Sequence, residues 1–218
     1  MIYMIDSANA EEIKKINDYF PISGVTTNPS LIAQNGEDLK TVITNIRNII
    51  GYEKMLHVQV ISTEFDEIVA EAKRLRDFAG QNTYIKIPVT ADGIKAIKHL
   101  KGLGFKITAT AIFTPQQALI AAHAGADFVA PYVNRLDNIS SDGAEVAADI
   151  ADLFRKQHIY SEVLAASFVN LEQIHKSTMR GVTAITIAPN LFDKLVYHPL
   201  TDIAIKDFID KGKEFYNI

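Results

Sequence analysis

The chain of 218 residues contains no cysteine, which removes disulfide frameworks, thiolate metal sites and cysteine nucleophiles at once. That composition fits a reducing compartment. Nor is there a basic excess: 22 Lys and Arg stand against 26 Asp and Glu, a formal net charge of -4, and this leaves no electrostatic footprint for nucleic acid. No apolar run approaches the roughly 20 residues of a membrane-spanning helix, and the opening Met1-Ile2-Tyr3-Met4-Ile5-Asp6 is too short and too soon acidic for a signal peptide. These features read as a cytoplasmic protein whose partners are neither nucleic acid nor membrane. Familiar cofactor motifs are missing as well. Asp6-Ser7-Ala8-Asn9 is not a dinucleotide glycine fingerprint, Gly102-Leu103-Gly104 reads as a helix C-cap, and neither a P-loop nor a nucleophile elbow occurs. Of the histidines, His99, His123, His158 and His175 fall in helical stretches, His57 stands alone in a strand, and His198 lies near the tail. That scatter supplies no set of metal ligands, and no cofactor is expected.

What is present is an ordinary globular composition, 48% hydrophobic and 22% charged, at a length that suits one domain spanning residues 1–218. No linker, internal repeat or low-complexity tract interrupts it. Short β-branched runs alternate with longer amphipathic segments. The runs are Ile2-Ile5, Gly24-Thr26, Met55-Val60, Thr83-Ile87, Lys106-Thr110, Phe128-Tyr132, Glu162-Ala166 and Val182-Ile187. Each precedes a helix-like stretch, such as Glu64-Phe78 with Phe65, Ile68, Val69, Ala72 and Leu75 on one stripe, or the alanine-rich Pro115-Ala124. Glycines at 51, 80, 104, 125 and 181 mark helix ends and returns to the sheet. Strands that read as continuous apolar runs between helices are parallel strands buried on both faces. Eight such units point to an α/β fold of the closed (β/α)8 barrel type, with an open doubly wound sheet as the alternative that counting leaves open. The tail at 200–218, with Ile203, Ile205, Phe208, Ile209 and Phe215, is one helical stretch more than a barrel requires, and it is expected to pack on a neighbouring subunit.

Lys86 is the most informative residue, because it sits in the apolar run Tyr84-Ile85-Lys86-Ile87-Pro88. Burial disfavours an ammonium and leaves more free amine, the species that attacks a carbonyl to form a Schiff base. The plainer reading is a strand-end lysine that snorkels to water. A barrel places reactive groups at the carboxyl ends of its strands. There the polar residues fall in chain order: Asp6, Thr26-Thr27-Asn28, Gln59, Lys86, Thr110, Tyr132 with Asn134 and Arg135, and Ser167. Individually each has a bland explanation, Asp6 and Asn28 as helix caps, Thr110 as a strand former, Arg135 as a solvated charge. Together they would form one pocket suited to a sugar phosphate, with Arg135 and Ser167 for a terminal phosphate. An inward lysine adds the chemistry, since an iminium withdraws electrons from a ketose and lets a carbon–carbon bond break.

Four motifs then carry a resemblance: Gly24-Val25-Thr26-Thr27-Asn28-Pro29-Ser30, Ile85-Lys86-Ile87-Pro88-Val89-Thr90 with Gly93, Ala130-Pro131-Tyr132-Val133-Asn134-Arg135, and Ala165-Ala166-Ser167-Phe168. In order and spacing the chain resembles the transaldolase family over essentially its whole length, in particular the small members that include fructose 6-phosphate aldolases. The resemblance implies a (β/α)8 barrel and a Schiff-base Lys86. It implies that Asp6 and Asn28 contact hydroxyls of the ketone fragment, and that Arg135 and Ser167 hold the aldehyde's phosphate. A homo-oligomer, a ring-based decamer in the small members, is also implied.

Two positions separate the branches of that family. Transaldolases usually have glutamate where this chain has Gln59 and phenylalanine where it has Tyr132, whereas the aldolase branch has glutamine and tyrosine. An amide does not exchange a proton near neutral pH, so the acid/base work passes to Tyr132, through a water also held by Thr110. The expected catalytic set is therefore Lys86, Tyr132, Gln59, Thr110 and Asp6, with Asn28, Thr26, Arg135 and Ser167 binding substrate. One position departs from the pattern: Val169 stands where many members carry arginine or lysine, which weakens the phosphate clamp. A transaldolase and a sugar-phosphate-binding barrel without turnover are the alternatives.

Overall fold

The computed structural model describes residues 1–216. Its strands are β1 (Ile2–Asp6), β2 (Gly24–Thr26), β3 (Met55–Gln59), β4 (Thr83–Pro88), β5 (Lys106–Ile112), β6 (Phe128–Pro131), β7 (Glu162–Ala165) and β8 (Ala184–Ile187). Every strand pairs in parallel with its chain neighbour, and β8 returns to β1, so the sheet closes into a (β/α)8 TIM barrel. Around it lie α1 (Ala10–Tyr19), α2 (Pro29–Asn35), α3 (Leu39–Ile50), α4 (Phe65–Ala79), α5 (Ala91–Gly102), α6 (Pro115–His123), α7 (Val133–Asp137), α8 (Gly143–Lys156) and α9 (Leu171–Met179). After β8 come α10 (Pro189–Val196) and α11 (Pro199–Gly212).

Local chemistry sets these boundaries. Asn9, Asp38, Thr90, Thr114, Asp142 and Asn170 each turn a side-chain oxygen onto a backbone N–H in the first turn of the helix that follows. The stripe Ile68, Val69, Ala72, Leu75 and Ala79 buries α4 against the barrel. Gly93 does a different job: a Cβ there would lie 2.0 Å from the Pro88 carbonyl oxygen, so α5 reaches the end of β4 only because that position is glycine. At the amino-terminal end of the barrel, Arg47 is buried and spends its guanidinium on the carbonyls of Ala79, Gly51, Lys54 and Asn82 and on the Thr83 hydroxyl. A buried cation satisfied by neutral acceptors across several elements is a structural clamp.

Inside the barrel the lower layer is closed. Met4, Phe128, Leu164 and Ala184 pack together, and His57 stacks on Tyr84 at 4.5 Å and meets the Phe128 ring edge-on at 5.2 Å. Burial holds the His57 imidazole well below its ordinary pKa, with the nearby Lys86 charge adding to the effect, and Nδ1 shares a 2.8 Å hydrogen bond with Thr108. Apart from the His57–Thr108 pair the floor is thus apolar and aromatic, and the cavity opens above it.

The strand runs expected from sequence all occur, with ends moved by up to two residues. β5 continues past Thr110 to Ile112 because its pairing with β6 slips between Ala109 and Ile112, where Ala111 takes the left-handed φ of 58°. Val182 stays outside β8, since its N–H bonds back to Ser177 at the end of α9. His158 is not helical: it lies beyond α8 at φ 56°. Of the helical tail expected at 200–218, α11 takes the part up to Gly212; Phe215 lies beyond the helix, and positions 217 and 218 fall outside the described residues.

Candidate active site

Lys86 occupies the middle of the problem physically as well as chemically. It is 6% exposed in β4, opposite Gln59 of β3 and Thr108 of β5 in register. Its Nζ donates to the backbone carbonyl of Thr27 at 2.8 Å. A carbonyl accepts from an ammonium or a neutral amine, more strongly from the former, so this contact orients Nζ in either state. Burial pushes the lysine below its ordinary pKa, and the neighbouring Asp6 carboxylate pulls the other way without cancelling that effect. The snorkelling alternative does not apply: the amine ends in the barrel mouth.

Above it opens a cavity of about 340 Å³ at the carboxyl ends of the strands. Asp6, Thr26, Asn28, Gln59, Lys86, Tyr132, Arg135 and Ser167 all line it. Thr26 donates to Asp6 Oδ1 at 2.7 Å and shares a 2.6 Å hydrogen bond with Thr186, which fixes the carboxylate from the side. Asn28 serves two ends: Oδ1 caps α2 by accepting from Ser30 and Leu31 N–H, and its amide nitrogen remains for the cavity it lines. The cap reading of Asn28 is therefore true and compatible with a binding role. Asp6 is not a cap, because Asn9 fills that place for α1.

Thr110 lies behind the wall, where its hydroxyl shares a 2.9 Å hydrogen bond with the Tyr132 hydroxyl. The β5 slip at Ala111 allows this, by keeping Ile112 in the core while Ala111 itself lines the cavity. Gln59 Oε1 is buried without a hydrogen-bond partner among the described residues. Gln59 as a residue lines the cavity, while this oxygen itself is closed off from solvent. On the far side, the Arg135 guanidinium stands 4.9 Å from the centre of the Tyr132 ring, and Ser167 adopts φ 64°. Left-handed, non-glycine residues such as Ala111 and Ser167 cost energy and collect at functional sites. Val169 is more than half exposed and does not line the cavity.

Sequence reasoning passed over Thr186, Ser30 and Ala111, which line the same cavity. Thr186 carried a usable signal, since it is the polar residue near the carboxyl end of the eighth strand and the strand-end argument applies to it unchanged. Ala111 carried none, because a bulge is set by pairing rather than by residue type. Among the described residues, no group of three or more His, Asp or Glu side chains is placed to hold a metal ion.

Residues 3–216 match the family model described as transaldolase/fructose-6-phosphate aldolase. The chain belongs to that family. A Streptococcus pneumoniae protein named "Probable fructose-6-phosphate aldolase" is 40% identical over 96% of this chain and 95% of its own length. A Clostridium perfringens protein named "Probable transaldolase" is 41% identical over 100% of both chains. Its Nitrosopumilus maritimus counterpart of the same name is 39% identical over 96% of this chain and 93% of its own length. Among solved structures, a Coccidioides immitis protein assigned as a fructose-1,6-biphosphate aldolase superposes with TM-score 0.57 at 17% identity, over 96% of this chain and 88% of that one. That last likeness is one of fold. The relatives divide between the two activities, so family membership makes the protein an aldolase or transaldolase enzyme acting in the chemistry of sugar phosphates.

Proposed function

We propose that the protein is a Schiff-base aldolase that cleaves and forms fructose 6-phosphate, with dihydroxyacetone or a similar ketone and glyceraldehyde 3-phosphate or a related aldehyde as the two fragments. The observation that carries this reading is the Tyr132 hydroxyl bonded to Thr110 at 2.9 Å in a cavity that presents an amide, Gln59, beside Lys86. Lys86 attacks the ketose carbonyl and water leaves, giving an iminium. The C4 hydroxyl then passes its proton to a water served by Tyr132, the C3–C4 bond breaks, and its electron pair passes into the iminium as an enamine while the aldehyde departs. What happens to the enamine separates the two activities. A proton delivered to its carbon, followed by hydrolysis of the iminium, releases the ketone; retention for a second aldehyde gives transfer.

Gln59 cannot shuttle that proton, but its amide, as part of the cavity lining, can orient a water. Tyr132, polarised by Thr110, is the group that exchanges protons with this water. Asp6, steadied by Thr26, binds with Asn28 to the ketone's hydroxyls, and Arg135 with Ser167 takes the phosphate. The transaldolase reading draws on one feature of the same cavity, the Asp6 carboxylate near Lys86, which is a second proton-exchanging group. A barrel that merely bound sugar phosphates would have no use for a buried amine.

The deciding experiment is incubation with fructose 6-phosphate, with and without an aldose acceptor, while free dihydroxyacetone and glyceraldehyde 3-phosphate are assayed. Free ketone without acceptor is the expected result, and product that requires acceptor would make the enzyme a transaldolase. Borohydride reduction with peptide mass analysis should place the covalent adduct on Lys86. We further propose that the protein is a homo-oligomer built through α11, whose exposed apolar side chains include Leu200, Ile203, Phe208 and Ile209.

A further inference from the structure

Gln173 on α9 lies outside the cavity, and no step above uses it. The residue is nevertheless only 7% exposed, and its amide is fully engaged. Oε1 accepts from the Val169 N–H at 2.8 Å, while Nε2 donates to Asn134 Oδ1 at 3.2 Å and to Asp137 Oδ2 at 2.6 Å. These partners belong to two different segments. Val169 follows Ser167 in the loop after β7; Asn134 and Asp137 flank Arg135 on α7, after β6. One buried amide therefore joins the segment that carries the guanidinium to the segment that carries the hydroxyl.

The surrounding bonds show what the amide adds. Backbone bonds from Val133 N to Ala166 O at 3.0 Å and from Asn134 N to Ser167 O at 2.9 Å already hold the near edge of the two segments. Beyond Ser167 the backbone turns through φ 64°, a conformation that persists only where neighbours over-determine it. Gln173 supplies the constraint on that far side through Val169. Its own place is set by Asn170, which accepts from Gln173 N–H at 2.9 Å, and by Asp137, whose other oxygen accepts from Gly143 N–H at 2.7 Å. The pattern needs one acceptor and two donors on a planar group. Glutamate keeps the acceptor but sets an oxygen against Asn134 Oδ1 and Asp137 Oδ2; methionine keeps the bulk and loses every bond.

We propose that Gln173 is a positioning residue that fixes the spacing of Arg135 and Ser167, and so sets the enzyme's preference for a phosphate-bearing aldehyde. The proposal rests on the reading that those two residues hold the phosphate. Its test compares Gln173→Met, Gln173→Glu and Arg135→Ala in the full chain, measuring kcat and KM for glyceraldehyde 3-phosphate and for unphosphorylated glyceraldehyde, with inhibition by inorganic phosphate. Both Gln173 variants should raise the KM for glyceraldehyde 3-phosphate and the inhibition constant of phosphate about tenfold, the scale of one or two lost hydrogen bonds. Their constants for glyceraldehyde should stay where they are. If Arg135→Ala discriminates between the two aldehydes and the Gln173 variants do not, the proposal is overturned and the phosphate reading stands. Without discrimination by Arg135→Ala, the phosphate reading falls and takes the proposal with it. Borohydride trapping of dihydroxyacetone on Lys86 guards against misfolding: should both Gln173 variants lose the adduct, Gln173 is a determinant of the fold and its positioning role is refuted.

Discussion

Lys86 shows how one side chain can cost stability through the same burial that makes it the proposed nucleophile. Its pKa in the folded chain lies below that of the unfolded chain, with burial as the main cause. Between those two values the unfolded chain holds a proton that the folded chain has released, so stability rises with pH; below both, the full penalty of burying the ammonium applies. Lys86→Met should thus raise the melting temperature at pH 7, by about 2–4 °C for each kcal/mol of desolvation relieved, and the gain should shrink as pH climbs towards 10. An unchanged melting temperature at pH 7 would mean that the lysine is hydrated. Gln59 and Tyr132 make the matching prediction about outcome rather than reactivity. Gln59→Glu with Tyr132→Phe should raise acceptor-dependent transfer at the expense of free ketone, and Tyr132→Phe alone should slow cleavage about 10²–10⁴-fold, the usual worth of a positioned acid/base group. Unaltered partitioning in the double variant would remove Tyr132 from the proton path. At Val169, which is exposed in the segment that follows Ser167, Val169→Lys should lower the KM for glyceraldehyde 3-phosphate and leave glyceraldehyde untouched if that segment holds the phosphate as proposed. An unchanged KM for glyceraldehyde 3-phosphate after substitution would show that the new cation does not reach the anion. At this scale most of the site was legible in the sequence, because catalytic groups must be of particular chemical types, and an apolar strand containing a lysine is conspicuous. The gaps are Thr186, Ser30 and Ala111, whose residue types have ordinary uses elsewhere.

Elements place these groups, and they do so through close approaches that few residues allow. Glycine inside a helix ordinarily costs about 0.5–1 kcal/mol relative to alanine, so Gly93→Ala would be expected to stabilise α5 on propensity alone. The Pro88 carbonyl oxygen, 2.0 Å from the added Cβ, reverses that sign. A backbone atom cannot rotate away as a side chain would, so the helix must shift, at about 1–3 kcal/mol for an overpacked contact. Gly93→Ala should therefore lower the urea midpoint and reduce kcat together, since Pro88 and Lys86 share β4; retention of both would show that α5 gives way freely. Strand and helix identities were readable because parallel strands and amphipathic helices have different periodicities. The β5 slip was not readable, nor was the left-handed turn at His158. Both depend on what the neighbouring chain segment offers as a hydrogen-bond partner.

For the whole molecule, the closed barrel leaves one element without a role inside the chain. No residue of α11 is buried, and Ile205, Phe208 and Ile209 recur at the spacing of one helical face. An apolar face of this kind is expected to be covered, and a second copy of the chain is the partner proposed for it. Sedimentation should find the protein as an oligomer, and the double substitution Ile205→Asp with Phe208→Asp should dissociate it while the barrel keeps its circular dichroism. A wild-type chain that sediments as a monomer would end that proposal. The sequence by itself determined the fold class, the family and most of the polar residues that line the cavity, because alternation of period and a lysine in an apolar strand are properties of residues in order. Tertiary structure alone decided that Lys86 bonds to the Thr27 carbonyl, that the Thr110 hydroxyl bonds to that of Tyr132, and that Gln173 ties the two segments of the candidate phosphate site together. Apart from the local bond between Gln173 and Val169, these contacts join residues 22 to 59 positions apart, and their existence depends on closure of the barrel bringing distant segments within hydrogen-bond reach.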